Sequence, residues 1–466
     1  MHYDLHGGVL DRTSAAGQRA RSRRSARVRY GVMSALVLIN IACRDLTSDQ
    51  TLGDRVTPSH VQNSAGAYGA AITAEKDWQE GLAAYIIKSG VLTDELQAAA
   101  RGSLDGSLTA PDIVLLDARI APRDVTNRLY AALHTARGSA QQAIGALARY
   151  AGDSSAARRG ALYTMMGYAE LFLADIFCSG IPLSTWDFEA DYTYRPGSTT
   201  SEVYQHAVVL FDSAIALAAD SLPVAQWATV GKGRALLALG HVSAAMQVVQ
   251  QIPLDFAHTE KLYTCSRIGV YCDGVRGLTT AAAKFDFNDV SVANAEGGDS
   301  ILTVTNPRTA AQRIGTGAYG SFVYFPQKYV RNGVSLVTVA SGTEAALIRA
   351  EAALVADDIP AWLELLNTLR ARSPLTDTTA VLTDPGSATR IDTLFAERAR
   401  WLFLTGHRQG DLRRWLRREP SRVPQDLYPS GPYPGGIRNY GNDIVIPIEA
   451  REVNNPQFRG CFDRRA

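Results

Sequence analysis

A helical rhythm that returns along most of the chain, stopped each time by glycine or proline, limits what this sequence can become. Along Ala65–Lys88 apolar residues recur at helical spacing, at Ala67, Tyr68, Ala71, Ile72, Leu82, Tyr85 and Ile86. Val125–Tyr150 follows Pro122 and sets Leu129, Leu133, Ala136, Ala140, Ile144 and Leu147 on one face. Ala156–Phe177 repeats the pattern and runs into Gly180 and Pro182, the usual stop punctuation. Thr200 or Ser201 is placed to cap Glu202–Ala219. Pro223 opens Ala225–Leu239, Gly240 closes it, and Ser243–Gln251 follows before Pro253. Two further pairs are Thr343–Ala356 with Pro360–Arg372, and Ala388–Thr405 with His407–Arg417. The spacing predicts a mainly α chain assembled from short helix pairs.

Helix pairs of this length resemble tetratricopeptide units. The fragment Ala228–Gly240 has the small residues and the Leu239-Gly240 step that let two helices close on each other, although no exact repeat can be written down. At 466 residues, length alone suggests about three domains. Stacked helix pairs instead build one continuous core, so a single domain over residues 59–466 is expected. Pro253–Ser341 interrupts the stack: it is rich in Gly, Tyr, Phe and β-branched residues, with strand-like pieces at Ile301–Thr305 and Ser321–Val330. Gly297-Gly298, Pro307, Gly315, Gly317, Gly320 and Pro326 keep it from being helical throughout. Pro420–Gln457 is likewise extended and loop-rich. A helical scaffold carrying long aromatic loops suits recognition, because scaffolds hold loops and loops hold function.

The N-terminus addresses the chain. Arg19, Arg21, Arg23, Arg24, Arg27 and Arg29 lead into Tyr30–Ala42, a mostly apolar run too short to span a bilayer permanently. A basic flank, a short apolar stretch and a small residue make a secretory signal over residues 1–42. Cys43 directly after Ala42 makes it a lipoprotein signal, with Cys43 as the acylated first residue, although Asn40 stands where such signals usually have Leu. Residues 43–58 read as a flexible tether. Removing residues 1–42 leaves 40 basic against 44 acidic side chains, a balance that excludes a nucleic-acid binder living on phosphate contacts.

With Cys43 lipidated, four cysteines are left in an exported protein, enough for two disulfides with three possible connectivities. Cys265 and Cys272 are close in a loop-like segment and make the economical local bridge. Cys178 and Cys461 would then join the first half to the C-terminus. No CxxC pair occurs, which excludes a zinc ribbon and a thioredoxin-like motif.

Signs of catalysis are thin. Gly315–Gly320 matches GxGxxG, but a strand-like segment follows it where a dinucleotide fingerprint needs a helix. There is no Walker P-loop, HExxH or GxSxG, and no histidines pair at metal-ligand spacing. No catalytic residue, metal or cofactor is therefore expected. Asp94-Glu95 and Asp357-Asp358 are adjacent carboxylates, which do not face each other across a sugar ring.

The most specific stretch is Glu397–Trp415. Gly406 breaks one helix, and Arg408 and Asp411 stand three apart, able to pair on the next. Glu397 and Arg398 can reach neighbouring helices. These residues read as a buried polar clasp at a helix junction in preference to a ligand site.

The chain resembles the SusD/RagB family of outer-membrane nutrient-uptake lipoproteins. Glu397-Arg398, Gly406-His407-Arg408 and Asp411-Leu412-Arg413-Arg414-Trp415 look like that family's C-terminal signature. Arg349–Leu354 with Leu366–Arg370, Asn442–Pro447, Glu452 and Asn454-Asn455-Pro456 also fit, as do Ser89–Glu95 and Ala169–Leu183 upstream. The resemblance runs from about residue 60 to the end, with the signature region over about 342–466. It implies a right-handed superhelical scaffold of four tetratricopeptide-like units with long irregular loops and a few short strands. It also implies acyl anchoring at the outer-membrane surface and a SusC-like TonB-dependent transporter as partner.

Members of that family bind glycans or other oligomeric nutrients and pass them to the barrel. Sugar faces stack on aromatic rings, so Tyr263, Tyr271, Tyr319, Tyr324, Tyr329, Trp186 and Tyr192 are the candidate ligand-binding residues, with core packing the competing role for each. A non-catalytic nutrient-binding lipoprotein is the expected function. The alternatives are a surface glycoside hydrolase on a helical scaffold and a tetratricopeptide-like adaptor that binds protein.

Overall fold

Asn63 starts the first helix: its side chain accepts the N–H of Gly66 at 2.9 Å, satisfying one of the donors a helix start leaves open. The computed structural model describes residues 61–98, 123–185, 192–265, 284–286, 290–293, 308–316, 322–372, 380–431, 440–448 and 450–463. All belong to one compact unit, Thr57–Ala466. The Cys43 anchor, the signal over 1–42, Tyr271, Tyr319, Trp186 and Cys272 lie outside the described residues.

Ten α-helices occur among the described residues. They are α1 (Ser64–Leu92), α2 (Arg123–Tyr150), α3 (Ala156–Ile176), α4 (Thr200–Leu217), α5 (Leu222–Ala238), α6 (Val242–Val249), α7 (Gly342–Val355), α8 (Ile359–Arg372), α9 (Arg390–Trp401) and α10 (Arg408–Arg418). Among the first eight, each helix packs on its successor, so α1/α2, α3/α4, α5/α6 and α7/α8 form four stacked pairs. The contact between α6 and α7 continues the stack across the intervening non-helical segment. None of these helices is long and apolar enough to cross a membrane.

Local chemistry sets the helix starts. Thr199, and not Thr200 or Ser201, caps α4: its hydroxyl accepts the Glu202 N–H at 3.2 Å while the Glu202 carboxylate accepts the Thr199 N–H at 2.7 Å. Thr200 already lies in the first turn, so it cannot serve as the cap. Ser341 caps α7 through the Glu344 N–H at 3.1 Å. Close approach inside the stack depends on glycine: a Cβ at Gly231 on α5 would lie 2.5 Å from the Phe211 ring of α4, and one at Gly167 on α3 would lie 2.9 Å from that same ring. Trp78, Tyr85, Tyr168, Phe172 and Trp227, all buried, fill the space between α1, α3 and α5.

Strands are short and peripheral. β1 (Leu96–Ala98), which follows α1, pairs antiparallel with β6 (Val290–Val292), matching Leu96 to Val292. β2 (Ile181–Pro182) pairs with β3 (Gly197–Ser198). β4 (Ala257–Cys265) is the middle of a three-stranded sheet between β5 (Lys284–Asp286), parallel to it, and β9 (Gly333–Ser341), antiparallel. β7 (Ala311–Thr316) and β8 (Phe322–Pro326) form an antiparallel pair. The Gly315–Gly320 motif thus begins within β7, and the next element described is the strand β8, not a helix.

The C-terminal tail is sewn onto the end of α3. Cys178 and Cys461 form a disulfide, their Cα atoms 5.7 Å apart. Cys178 Sγ accepts the Ile448 N–H at 3.3 Å, and backbone bonds join Cys178 to Ile446 and Ser179 to Asp463.

Candidate functional site

The signature residues build a junction before they border a site. α9 ends at Trp401, and Leu402–Gly406 turns the chain into α10 with Leu404 at φ 50° and Gly406 at φ 75°. Glycine is needed at 406 because its backbone is left-handed and a Cβ would lie 2.9 Å from the Tyr85 ring. Across this turn Arg398 clasps Asp411 with two bonds of 2.9 Å. Arg414 donates to Asp411 and to Glu351 of α7, both at 2.9 Å, and Arg418 reaches Glu351 at 2.9 Å. Glu397 faces the other way, taking Arg308 at 2.9 Å, Arg370 at 2.7 Å and the Trp401 indole N–H at 3.1 Å.

One expected pairing is wrong. Arg408 does not pair with Asp411, because Asp411 is taken by Arg398 and Arg414. Arg408 turns instead to Asp94, just beyond α1, with two bonds of 2.7 Å. The neighbouring Glu95 is fully buried and accepts the Leu404 N–H at 2.6 Å. Both carboxylates of the Asp94-Glu95 pair are thus spent on holding the end of α1 to the turn between α9 and α10.

The electrostatics follow from that geometry. Burial works to raise the Glu397 carboxyl, but the hydrogen bonds from Arg370 and Arg308 outweigh it and hold it down at about 2. Burial is likewise overcome at Asp411 by Arg398 and Arg414, and at Glu351 by Arg414, Arg398 and Arg418, so both stay ionised. At this junction Glu95 goes the other way, pushed up to about 8 chiefly by burial. Carboxylates locked onto arginines cannot deliver a proton to a leaving group at neutral pH.

Beside this junction opens a cleft of about 830 Å³. It is lined by Leu96 and Gln97 of β1, Glu397 and Arg400 of α9, and Arg422, Tyr428 and Tyr440 of the C-terminal segment. Arg422 is held over the Trp415 ring, 4.9 Å from its centroid, and is paired with Asp392 and Glu419. The cleft offers planar guanidinium donors, carboxylate and amide acceptors and a tyrosine ring at Tyr440. That is the chemistry of a hydroxyl-rich, neutral ligand. Among the described residues no group of three or more His, Cys, Asp or Glu is placed to hold a metal ion.

The aromatic candidates that are described, Tyr192, Tyr263, Tyr324 and Tyr329, do not line this cleft. Tyr329 is a core residue: it is buried, and its hydroxyl donates to the Leu404 carbonyl. Tyr263 on β4 is half-buried and donates to the Asn332 carbonyl at 3.3 Å. Tyr324 is half-buried on β8, opposite Arg313. Tyr192 is 50% exposed, edge-on to Tyr194 with ring centroids 4.8 Å apart. The cleft residues Gln97, Arg400, Arg422 and Tyr440 were missed, since they come from separated segments. The loop-rich character of Pro420–Gln457 was the one signal that pointed toward Arg422 and Tyr440.

Residues 342–459, which hold α7–α10 and this junction, match the model of the SusD family. Over that stretch the chain resembles the SusD family. No curated protein sequence matches it. Its fold matches that of surface glycan-binding protein A from Bacteroides uniformis at a TM-score of 0.62, with 13% identity over 85% of this chain and 99% of that one. Surface glycan-binding protein A from Bacteroides thetaiotaomicron is similar at a TM-score of 0.62, with 12% identity over 87% of this chain and 100% of that one. A laminarin-binding SusD-like protein matches at a TM-score of 0.57, with 14% identity, 86% of this chain and 99% of that one. The likeness is one of fold, which in this chain is a mainly helical scaffold of stacked pairs.

Proposed function

We propose that this protein is a non-catalytic, surface-exposed outer-membrane lipoprotein, anchored through Cys43, that binds an oligosaccharide and delivers it to a SusC-like TonB-dependent transporter. The observation that carries the reading is the arginine-locked SusD-family junction beside an open, polar cleft. A sugar there would meet Gln97, Arg400 and Arg422 through its hydroxyls and the Tyr440 ring through an apolar face. The likeness in fold to surface glycan-binding proteins and to a laminarin-binding protein supports a glycan as the ligand class. The junction carboxylates serve the scaffold, which supports a binding role over a catalytic one.

Two measurements test this. Tagged full-length protein is recovered from its native outer membrane in mild detergent, and a TonB-dependent barrel should accompany it in comparable amount. The same protein is screened against oligosaccharides, where Tyr440→Ala and Gln97→Ala should weaken the best ligand without shifting the thermal midpoint. Cleavage of that ligand, or a folded, acylated protein recovered without a barrel, would overturn the reading.

A further inference from the structure

A second cavity, of about 580 Å³, lies on the helical stack among α2, α3, α4 and the segment joining α3 to α4. Its walls are largely apolar, with Ile144, Met166, Leu183 and Leu210 facing the space. Its polar end is built on a fully buried carboxylate. Glu170 on α3 receives Arg137 Nε of α2 at 2.7 Å and is met by His206 Nδ1 of α4 at 2.5 Å. Arg137 is then used up, since its other nitrogens donate to the carbonyls of Ser184 at 2.6 Å and Leu183 at 3.1 Å.

Two cationic groups face the cavity with capacity left. His206 is 44% exposed at its side chain, and its Nε2 has no hydrogen-bond partner among the described residues. Arg195 borders the same space, and its guanidinium forms no ion pair among the described residues. Its backbone, by contrast, is fixed: the N–H donates to Ser184 Oγ at 3.1 Å and the carbonyl accepts from Asn455 at 2.9 Å. The ionisable side chains around His206 are therefore Arg137 from α2, Glu170 and Tyr163 from α3, and Arg195. Arg137 balances Glu170, so the field at the cavity mouth is positive. The bond to Glu170 raises the His206 pKa, against the burial and the Arg137 charge that lower it.

We propose that this cavity is a second binding site, which takes a small organic carboxylate whose apolar body lies against Met166 and Leu210 while its carboxylate meets Arg195 and His206. The volume suits a ligand of that size, and an apolar cleft with a few convergent polar groups is the usual form of a small-molecule site. A neutral sugar would leave the apolar walls poorly covered, which separates this site from the cleft beside Tyr440. The proposal stands whether or not that cleft binds a glycan.

The test is calorimetric binding of 3-phenylpropionate and of its uncharged amide to the full-length protein in mild detergent. A charge-assisted contact is worth enough that the amide should bind at least about tenfold more weakly. Arg195→Ala and His206→Gln should each weaken the acid by about fivefold or more while leaving the weak amide binding unchanged. Arg195 is exposed, so its variant tests the site without risk to the fold. Affinity for the acid should also fall as pH rises and His206 loses its proton. Equal binding of acid and amide, no binding of either, or full acid affinity in Arg195→Ala would overturn the proposal.

Discussion

Arg408 grips both carboxylate oxygens of Asp94 at 2.7 Å, although 314 positions separate them in sequence. This pair fastens the start of the α10 helix to the end of α1, and with Arg398–Asp411 it makes the Glu397–Trp415 stretch a clasp between distant parts of the chain. Arg408 is buried and Asp94 is only 16% exposed at its side chain, so losing either member leaves a poorly solvated charge.

Arg408→Ala should lower stability by about 3–5 kcal/mol, the cost of stranding one half of a buried ion pair. Urea unfolding followed by circular dichroism measures it. Oligosaccharide affinity, corrected for the folded fraction, should fall less than in Tyr440→Ala; the reverse order would make Arg408 a ligand residue.

Glu95 gives the protein a pH dependence of definite sign. Its carboxyl is held up at about 8 in the fold, against about 4.3 in an unfolded chain. Between those values the unfolded chain has released a proton that the native one keeps, so this group's contribution falls as pH rises from about 4.3 and is fully lost above about 8. Glu95→Gln escapes the loss. Its stability relative to wild type should be at least about 1 kcal/mol greater at pH 8.5 than at pH 5, and a flat difference would show that Glu95 ionises freely in the fold.

Breaking the Cys178–Cys461 bond with Cys178→Ala and Cys461→Ala should cost about 2–4 kcal/mol, since the bond closes a loop of 283 residues. On reduction the denaturation midpoint of wild type should drop by more than that of the double variant, and any response of the variant would report the Cys265–Cys272 bridge.

Gly231→Ala puts a methyl against the Phe211 ring, a contact that overpacks the α4/α5 interface and should cost about 1–3 kcal/mol. Thermal unfolding tests it. An unchanged midpoint would mean that the helices part easily at this point.

Cys43→Ser should release the protein from membranes into the soluble fraction, since Cys43 is the proposed site of acylation. Retention in washed outer membranes would place the anchor elsewhere.

Much of the architecture could be read in the chain because it rests on local pattern. The apolar spacing in Ala65–Lys88 and Ala156–Phe177 marks helices that are present, with ends moved by a few residues, and the four stacked pairs follow from the family resemblance. Errors came where a partner far along the chain decided the outcome. Arg408 and Asp411 had the spacing of a helix pair, yet each found a better-placed partner across the junction. Tyr329 carried a residue type that stacks on sugars, but its hydroxyl is used at Leu404 inside the core. The cleft escaped prediction because β1, α9 and the C-terminal segment meet only in the folded chain, and no local rhythm registers that meeting.

The direct contact between α6 and α7 has a consequence for change. Those helices touch without help from the residues between them, so the stack is continuous across the segment over 253–341. That segment is still tied to the frame at chosen points: Glu260 takes the Trp78 indole N–H, Arg308 takes Glu397, and Tyr329 donates to the Leu404 carbonyl. Residues away from those ties can change without loosening the spine, whereas a change at any of the three reaches the scaffold itself.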